Sequence, residues 1–354
     1  MWKQRAQRAA IVVAAVLAVG AAISVWLWRD RPSLENIDWA PPVIAAASAT
    51  DSVTATWLGV ATLLFDDGET QILVDGFFSR PTLDDIIFDR PVGNDAATIN
   101  YALDEYRMRR LAAIIPVHSH FDHAMDVGAI ANRTSASVLG SESTLQIARG
   151  AGVPEDQMTL VEVGKAYEFG QFEVTLLASS HASLGWRGSV VFPGSIDAPL
   201  PLPQPVSAFR EGSSYTIVIA HPQGTTIVQG SAGMPGKSLA KVSTDIVMLG
   251  VGGLESLGFE YAEQYWQSLV TATGAQSVYP IDFDDFTRPF GETIASARFL
   301  GDFERTAQWF EILRDRWDRD VQLFVPEFGQ PIAIYAQPVA DSSESGVSSS
   351  AESD

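Results

Sequence analysis

The 354-residue sequence contains no cysteine. A disulfide framework and thiolate-bound metal are therefore excluded, and any metal must be held by nitrogen and oxygen donors. The same absence leaves the redox compartment unmarked. Histidine is scarce, at five residues, and positive charge is in deficit, with 23 Lys and Arg against 43 Asp and Glu. Residues 1–31 hold five of the basic and one of the acidic side chains, so the rest of the chain carries 18 against 42. A body of that sign argues against nucleic acid or anionic lipid headgroups as a general partner and suits solubility. Apolar content is not lacking: 46% hydrophobic residues beside 19% charged ones are enough for a large core and exclude disorder of the whole.

One apolar run stands apart. Residues 9–28, "AAIVVAAVLAVGAAISVWLW", carry no charge over a length that spans a bilayer's hydrocarbon core. Lys3, Arg5 and Arg8 precede it, so the positive-inside tendency predicts a cytoplasmic 1–8 and an extracytoplasmic body, periplasmic in a Gram-negative source. A cleaved signal peptide, cut near Val19-Gly20-Ala21, is the competing reading. Apolar residues continue past that point to Trp26 and Trp28, which suit an interfacial belt. A buried core helix is the third reading, disfavoured because the run is apolar on every face. Residues 29–50 mix prolines with small residues and read as a tether, and 341–354, "DSSESGVSSSAESD", as a disordered acidic tail. The folded unit is expected over 51–340.

Within that unit, β-rich runs alternate with helical patterns. "SVTATWLG", "ATLLFDD" and "TQILVDG" read as strands, "TINYALDEYRMRRL" as a helix, and "AAIIPVH" as a buried strand delivering His118. "DVGAIANRT" and "SESTLQIARGAG" read as helices around a short strand, "SVLG", with Ser141 as N-cap of the second and Gly150 as its stop. The second half repeats the plan: strands "QFEVTLLAS", "SYTIVIA", "TTIVQG", "TDIVMLG" and "QSVYPI", with helices near "EYAEQYWQSLVTATG" and "DFERTAQWFEILRDRW". The Pro-rich residues 192–212 read as a long surface loop. This order predicts an α/β layered sandwich rather than separate domains.

The chemistry concentrates in "HSHFDH", His118 to His123, which puts three of the five histidines and an aspartate into six residues. Alternation along a strand ending in His-x-His would send both imidazoles to one side, a chelating geometry that suits zinc, iron or nickel. His221, in the turn "AHPQGT", reads as a solvent-facing residue with no part in it.

His118, His120, Asp122 and His123 form an HxHxDH pattern that resembles the signature of the metallo-β-lactamase-fold hydrolases, and the order of elements is similar to that family over nearly all of 51–335. "WLGVATLLF", "ILVDG", "HSHFDHAMD", "SSHAS" and "YPIDFDDF" look most like the branch of ascorbate-phosphate lactonase and the phospholipase D acting on N-acyl-phosphatidylethanolamine. The resemblance implies a four-layer αβ/βα sandwich with two metal sites. It assigns His118, His120 and His181 to the first, and Asp122 and His123 to the second. The bridging carboxylate falls at Ser231 and the last histidine at Asp282, so two of seven ligands have changed type. A serine hydroxyl cannot bridge two dications, whereas Asp282 can still coordinate. Asp75, Ser231, Asp284 and Asp285 are expected to support the ligands from behind, with a strand-end turn as the plain alternative for Asp75.

The function so implied is a membrane-anchored, metal-dependent hydrolase. One or two ions, with zinc expected and iron or manganese as alternatives at the second site, would lower the pKa of a bound water for attack on an ester, lactone, amide or phosphodiester. Asp122 is the expected catalytic carboxylate, and the substrate a small or lipid-derived molecule beside the membrane. Arg187 is the one cation the sequence places near such a pocket, against an ordinary surface role. The altered second site motivates a rival reading, a non-catalytic member of the fold that binds an envelope component. β-Lactam hydrolysis proper fits the closing segment less well.

Overall fold

The computed structural model describes residues 2–45 and 52–335. The 341–354 tail, residues 51 and 336–340 of the expected folded unit and residues 46–50 of the expected tether lie outside that description.

Two seven-stranded mixed sheets face each other. The first runs in the order Pro331–Ala333, Thr54–Trp57, Leu63–Asp66, Gln71–Val74, Leu111–Ile115, Ser137–Gly140 and Met158–Leu160, antiparallel up to Gln71–Val74 and parallel beyond it. The second runs Gln322–Leu323, Ser277–Ile281, Ile246–Gly250, Gly224–Gln229, Ser214–His221, Phe172–Ser179 and Ala166–Phe169, with its antiparallel pairs at the opposite end.

Alternation of side chains across each strand creates the layers. Ile72, Val74, Ala113 and Ile115 point between the sheets, where they join Val174, Leu176, Ile217 and Ile219 in one core. Their neighbours Leu73, Ile114 and Val138 point the other way, onto Ile99, Ile130, Leu145 and Ile147 of the helices Ala96–Glu105, Val127–Thr134 and Glu142–Gly150. Helices Phe259–Trp266 and Phe303–Trp317 cover the second sheet through Tyr265, Trp266, Phe310 and Leu313. The result is a four-layer αβ/βα sandwich. Ser141 caps its helix through the Thr144 N–H, and that helix ends at Gly150.

Three local expectations are corrected. The strand before "HSHFDH" stops at Ile115, because Pro116 has no N–H to continue the ladder, and His118 lies three residues beyond in a bend. The Pro-rich 192–212 is not simply a surface loop: it buries Ile196, Val206 and Phe209. His221 is not solvent-facing. It shares strand parity with the fully buried Ile217 and Ile219, is itself buried, and packs 5.1 Å from the Phe172 ring with Nε2 3.6 Å from the Asp67 carboxylate.

A long helix, Trp2–Arg29, precedes the sandwich. Its residues Ile11–Arg29 have a mean hydropathy of 2.4, none of the stretch is buried, and by length and composition it can cross a membrane. The described part of the expected tether is laid along the domain. Three of its side chains donate to it: Arg31 bonds the Asp285 carboxylate at 2.7 Å and the Ala295 carbonyl at 2.6 Å, Asn36 reaches Glu304, and Trp39 reaches Glu311. The Ala45 N–H then donates to Pro331 and the Ala333 N–H to Val43.

Candidate metal centre

Because the strand ends early, other contacts shape the histidine bend. The Val117 N–H donates to Asp75 Oδ1 at 2.8 Å, the Ser119 N–H to the Glu211 carbonyl, and the Tyr215 N–H to the Val117 carbonyl. His120 then starts the short helix Phe121–Ala124, its carbonyl accepting from the His123 and Ala124 N–H groups. These bonds, not strand alternation, bring the imidazoles together.

His118 and His120 are buried, with His118 Nε2 2.8 Å from His120 Nδ1. His181 arrives from the loop after Phe172–Ser179, its ring centroid 4.6 Å from that of His118 and 4.8 Å from that of His120. One nitrogen from each of these three rings lies within 4.8 Å of the others, the one such donor set of three among the described residues. Burial pushes all three imidazoles below their ordinary range, His120 to about 4, so they are neutral at physiological pH. His181 Nδ1 donates to the Ala182 carbonyl at 2.8 Å, which leaves Nε2 as its free lone pair. His118 Nδ1 is buried without a hydrogen-bond partner, and His120 Nε2 faces the Phe192 carbonyl without reaching hydrogen-bond geometry. Three neutral imidazoles that bring one ring nitrogen each into the same small volume fit a borderline divalent cation.

The loop carrying His181 is fastened to residues 231–236. The Ser231 hydroxyl accepts from the Ala182 N–H at 3.1 Å, the Ser180 N–H donates to the Met234 carbonyl at 3.0 Å, and the Gly236 N–H to the Ala178 carbonyl at 2.9 Å. Ser231 thus spends its hydroxyl on the backbone beside His181, while its own carbonyl accepts from Tyr265.

Asp122, His123 and Asp282 do not gather as tightly as the trio. The His123 ring lies tilted 4.1 Å from that of His118, its Nδ1 donates to Asp75 Oδ2 at 2.7 Å, and its Nε2 faces Asp122 Oδ2 at 3.6 Å. Burial pushes the His123 imidazole down, but Asp75 and Asp122 together outweigh it and hold it up at about 9. Burial pushes the Asp75 carboxyl above its ordinary range, against the pull of His123. Asp282 turns the chain in the left-handed region, at φ 61°, and its N–H donates to Val60 at 2.8 Å. Part of its residue surface stays open, yet burial of the carboxyl group holds it well above the usual carboxylate range.

Asp284 and Asp285 are engaged elsewhere. Asp284 accepts the Val60 N–H at 2.7 Å and lies 3.7 Å from the Arg80 guanidinium, with both side chains 5% exposed. Asp285 binds Arg31, Thr287 and the Thr287 backbone. Arg187 is exposed and stacks over Trp186.

Sequence reasoning missed Arg80 and Asp126. Arg80 is the buried cation of this region, lying over the Phe77 ring at 4.5 Å and within electrostatic reach of Asp122. Asp126 holds the segment before it, accepting from the Phe78 N–H, the Ser79 N–H and hydroxyl, and Asn94. A lone arginine in the apolar run "DGFFSRP" was the available signal, since a charge there needs a buried partner.

Residues 54–282 match the family described as the beta-lactamase superfamily domain. Among curated proteins, the chain is 24% identical over 208 residues to a UPF0173 metal-dependent hydrolase of Pyrobaculum islandicum, covering 57% of this chain and 73% of that one. It is 23% identical over 240 residues to the UPF0173 metal-dependent hydrolase PAE2160 of Pyrobaculum aerophilum, covering 65% and 84%. Among solved structures, a possible metal-dependent hydrolase from Veillonella parvula superposes with a TM-score of 0.50 at 14% identity, over 80% of this chain and 99% of that one. That likeness shows the fold.

Proposed function

The chain belongs to the beta-lactamase superfamily, and from that membership we propose a metal-dependent hydrolase held at a membrane by its N-terminal helix. The observation that carries the reading is the neutral trio of His118, His120 and His181 with donor atoms within 4.8 Å of one another. His118, His120 and His181 would hold a divalent cation, zinc by the nitrogen-rich donor set, and such an ion would supply the acidity that activates water for attack on an ester, lactone, amide or phosphodiester.

The protein's own groups have separable tasks. The Ala182 carbonyl fixes the His181 tautomer, and Asp75 does the same for His123. Asp122, with its side chain 19% exposed, is the site carboxylate that meets solvent, so it can orient a water and accept its proton. Asp75, fully buried, can only position. Once His123 gives up its Nε2 proton, that nitrogen with Asp122 and Asp282 would offer donors for a second ion, with iron or manganese as alternatives to zinc there.

The test is metal content of the purified full chain by mass spectrometry, beside turnover of chromogenic esters and phosphodiesters. At least one ion per chain is expected, lost in His120→Ala, while Asp122→Asn keeps that ion and loses turnover. A chain that takes up no ion when metal is supplied would end the proposal.

A further inference from the structure

The membrane helix and the sandwich meet without a spacer. Trp28, in the last turn of the helix, packs its ring 6.1 Å from Phe299. Two residues later the Asp30 carbonyl accepts the Arg298 N–H at 2.8 Å, and Arg31 bonds Asp285 and the Ala295 carbonyl. Arg298 in turn holds Asp302 at 2.6 Å and Glu304 at 3.0 Å. The first residues past the span are therefore clamped to 285–304, the segment that follows Asp282. Beside the junction, Phe299 and Leu300 are 53% and 47% exposed.

Depth follows from the helix itself. Twenty residues at about 1.5 Å each cover a hydrocarbon core of about 30 Å, which places Trp28 at its boundary. The headgroup region adds roughly 5–8 Å on each side. A ring 6.1 Å from Trp28 lies inside that band. Exposed Phe and Leu side chains gain free energy by leaving water there, and Arg29 supplies a local cation in an otherwise acidic protein.

We propose that Phe299 and Leu300 form a seat that inserts into the headgroup region of the bilayer crossed by the helix, so that the metal-site domain is held at a fixed attitude against the lipid surface. The inference rests on the membrane-anchor reading above. It adds that the domain is pressed onto the bilayer rather than suspended over it, which puts the segment next to Asp282 at the lipid and favours substrates drawn from the bilayer.

The absence of cysteine permits a direct test. Phe299→Cys in the full chain, carrying a nitroxide and reconstituted in phosphatidylcholine nanodiscs, should be relaxed several-fold more by oxygen than by a water-soluble nickel chelate. Leu160→Cys is the control: Leu160 is 53% exposed in Met158–Leu160, at the opposite end of the first sheet from the strand that the lead-in segment joins. It should show the reverse. If the Phe299 reporter matches the Leu160 one while the chain resists carbonate extraction, the anchor stands and the seat is refuted. If carbonate strips the chain from membranes, the anchor fails and the seat with it.

Discussion

Alanine at Gly233 should pull His181 out of the trio while leaving the sandwich folded. A methyl group there would fall within the contact shell of the Ser180 carbonyl oxygen, 2.5 Å from the Ser180 carbonyl carbon and 2.7 Å from that of His181. Carbon atoms pack comfortably at about 3.5–4.0 Å, so one backbone must retreat by roughly 1 Å. Neither can do so freely. Residues 231–236 are held by Ser231 on Ala182 and by Gln229, whose side chain donates to the Gly233 carbonyl at 2.9 Å. The ligand loop is held by Met234. Metal ligands tolerate about 0.2 Å, and a misplacement of roughly 1 Å at a catalytic centre costs on the order of 100-fold. Metal affinity should therefore fall by about 10–100-fold, as it does when a group that positions a ligand is altered, together with roughly 1–3 kcal/mol of overpacking cost. Competition with a chromogenic chelator measures the first, and a denaturant melt of the metal-free chain the second. Gly93→Ala is the control, because the nearest atom to its methyl group would be 3.5 Å away. Unchanged affinity in a stable Gly233→Ala protein would show that the fastening of the two loops does not position His181.

Two further substitutions probe the surroundings of the trio. Asp284→Ala strands the buried Arg80 and the Val60 N–H, and should cost about 3–5 kcal/mol in a urea melt, well above Asp285→Ala, whose partner Arg31 keeps some solvent access. Equal losses would refute the weight placed on the Arg80 pair. In Asp75→Asn the amide can still accept the Val117 N–H but offers His123 Nδ1 a donor. That moves the ring proton to Nε2, and binding of a second ion should weaken by about 10–100-fold in calorimetry, with the trio's ion retained.

The layers were legible because they follow from period. "TQILVDG" and "QFEVTLLAS" alternate, and the alternation survives as Ile72 and Val74 on one face with Leu73 on the other. Histidine scarcity made the trio legible too, since few arrangements of five residues are open. The reason offered for it was mistaken, because Pro116 ends the strand before His118. Arg80, Asp126 and the inward turn of His221 stayed hidden for another reason. Each depends on which distant segment lies opposite, and the carboxylate facing Arg80 is some 200 residues away in sequence. The short strands Ala166–Phe169 and Pro331–Ala333 were missed because their pairing partners, rather than their own composition, define them.

The lead-in segment has a consequence for anyone who wishes to trim the membrane helix away. Its backbone bonds from Val43 and Ala45 cap Pro331–Ala333, the outermost strand of the first sheet. A fragment begun after residue 45 would leave that strand's donors and acceptors bare, a template on which a second copy could pair. Residues 31–45 thus act as a guard against self-association, and a soluble fragment should begin ahead of them.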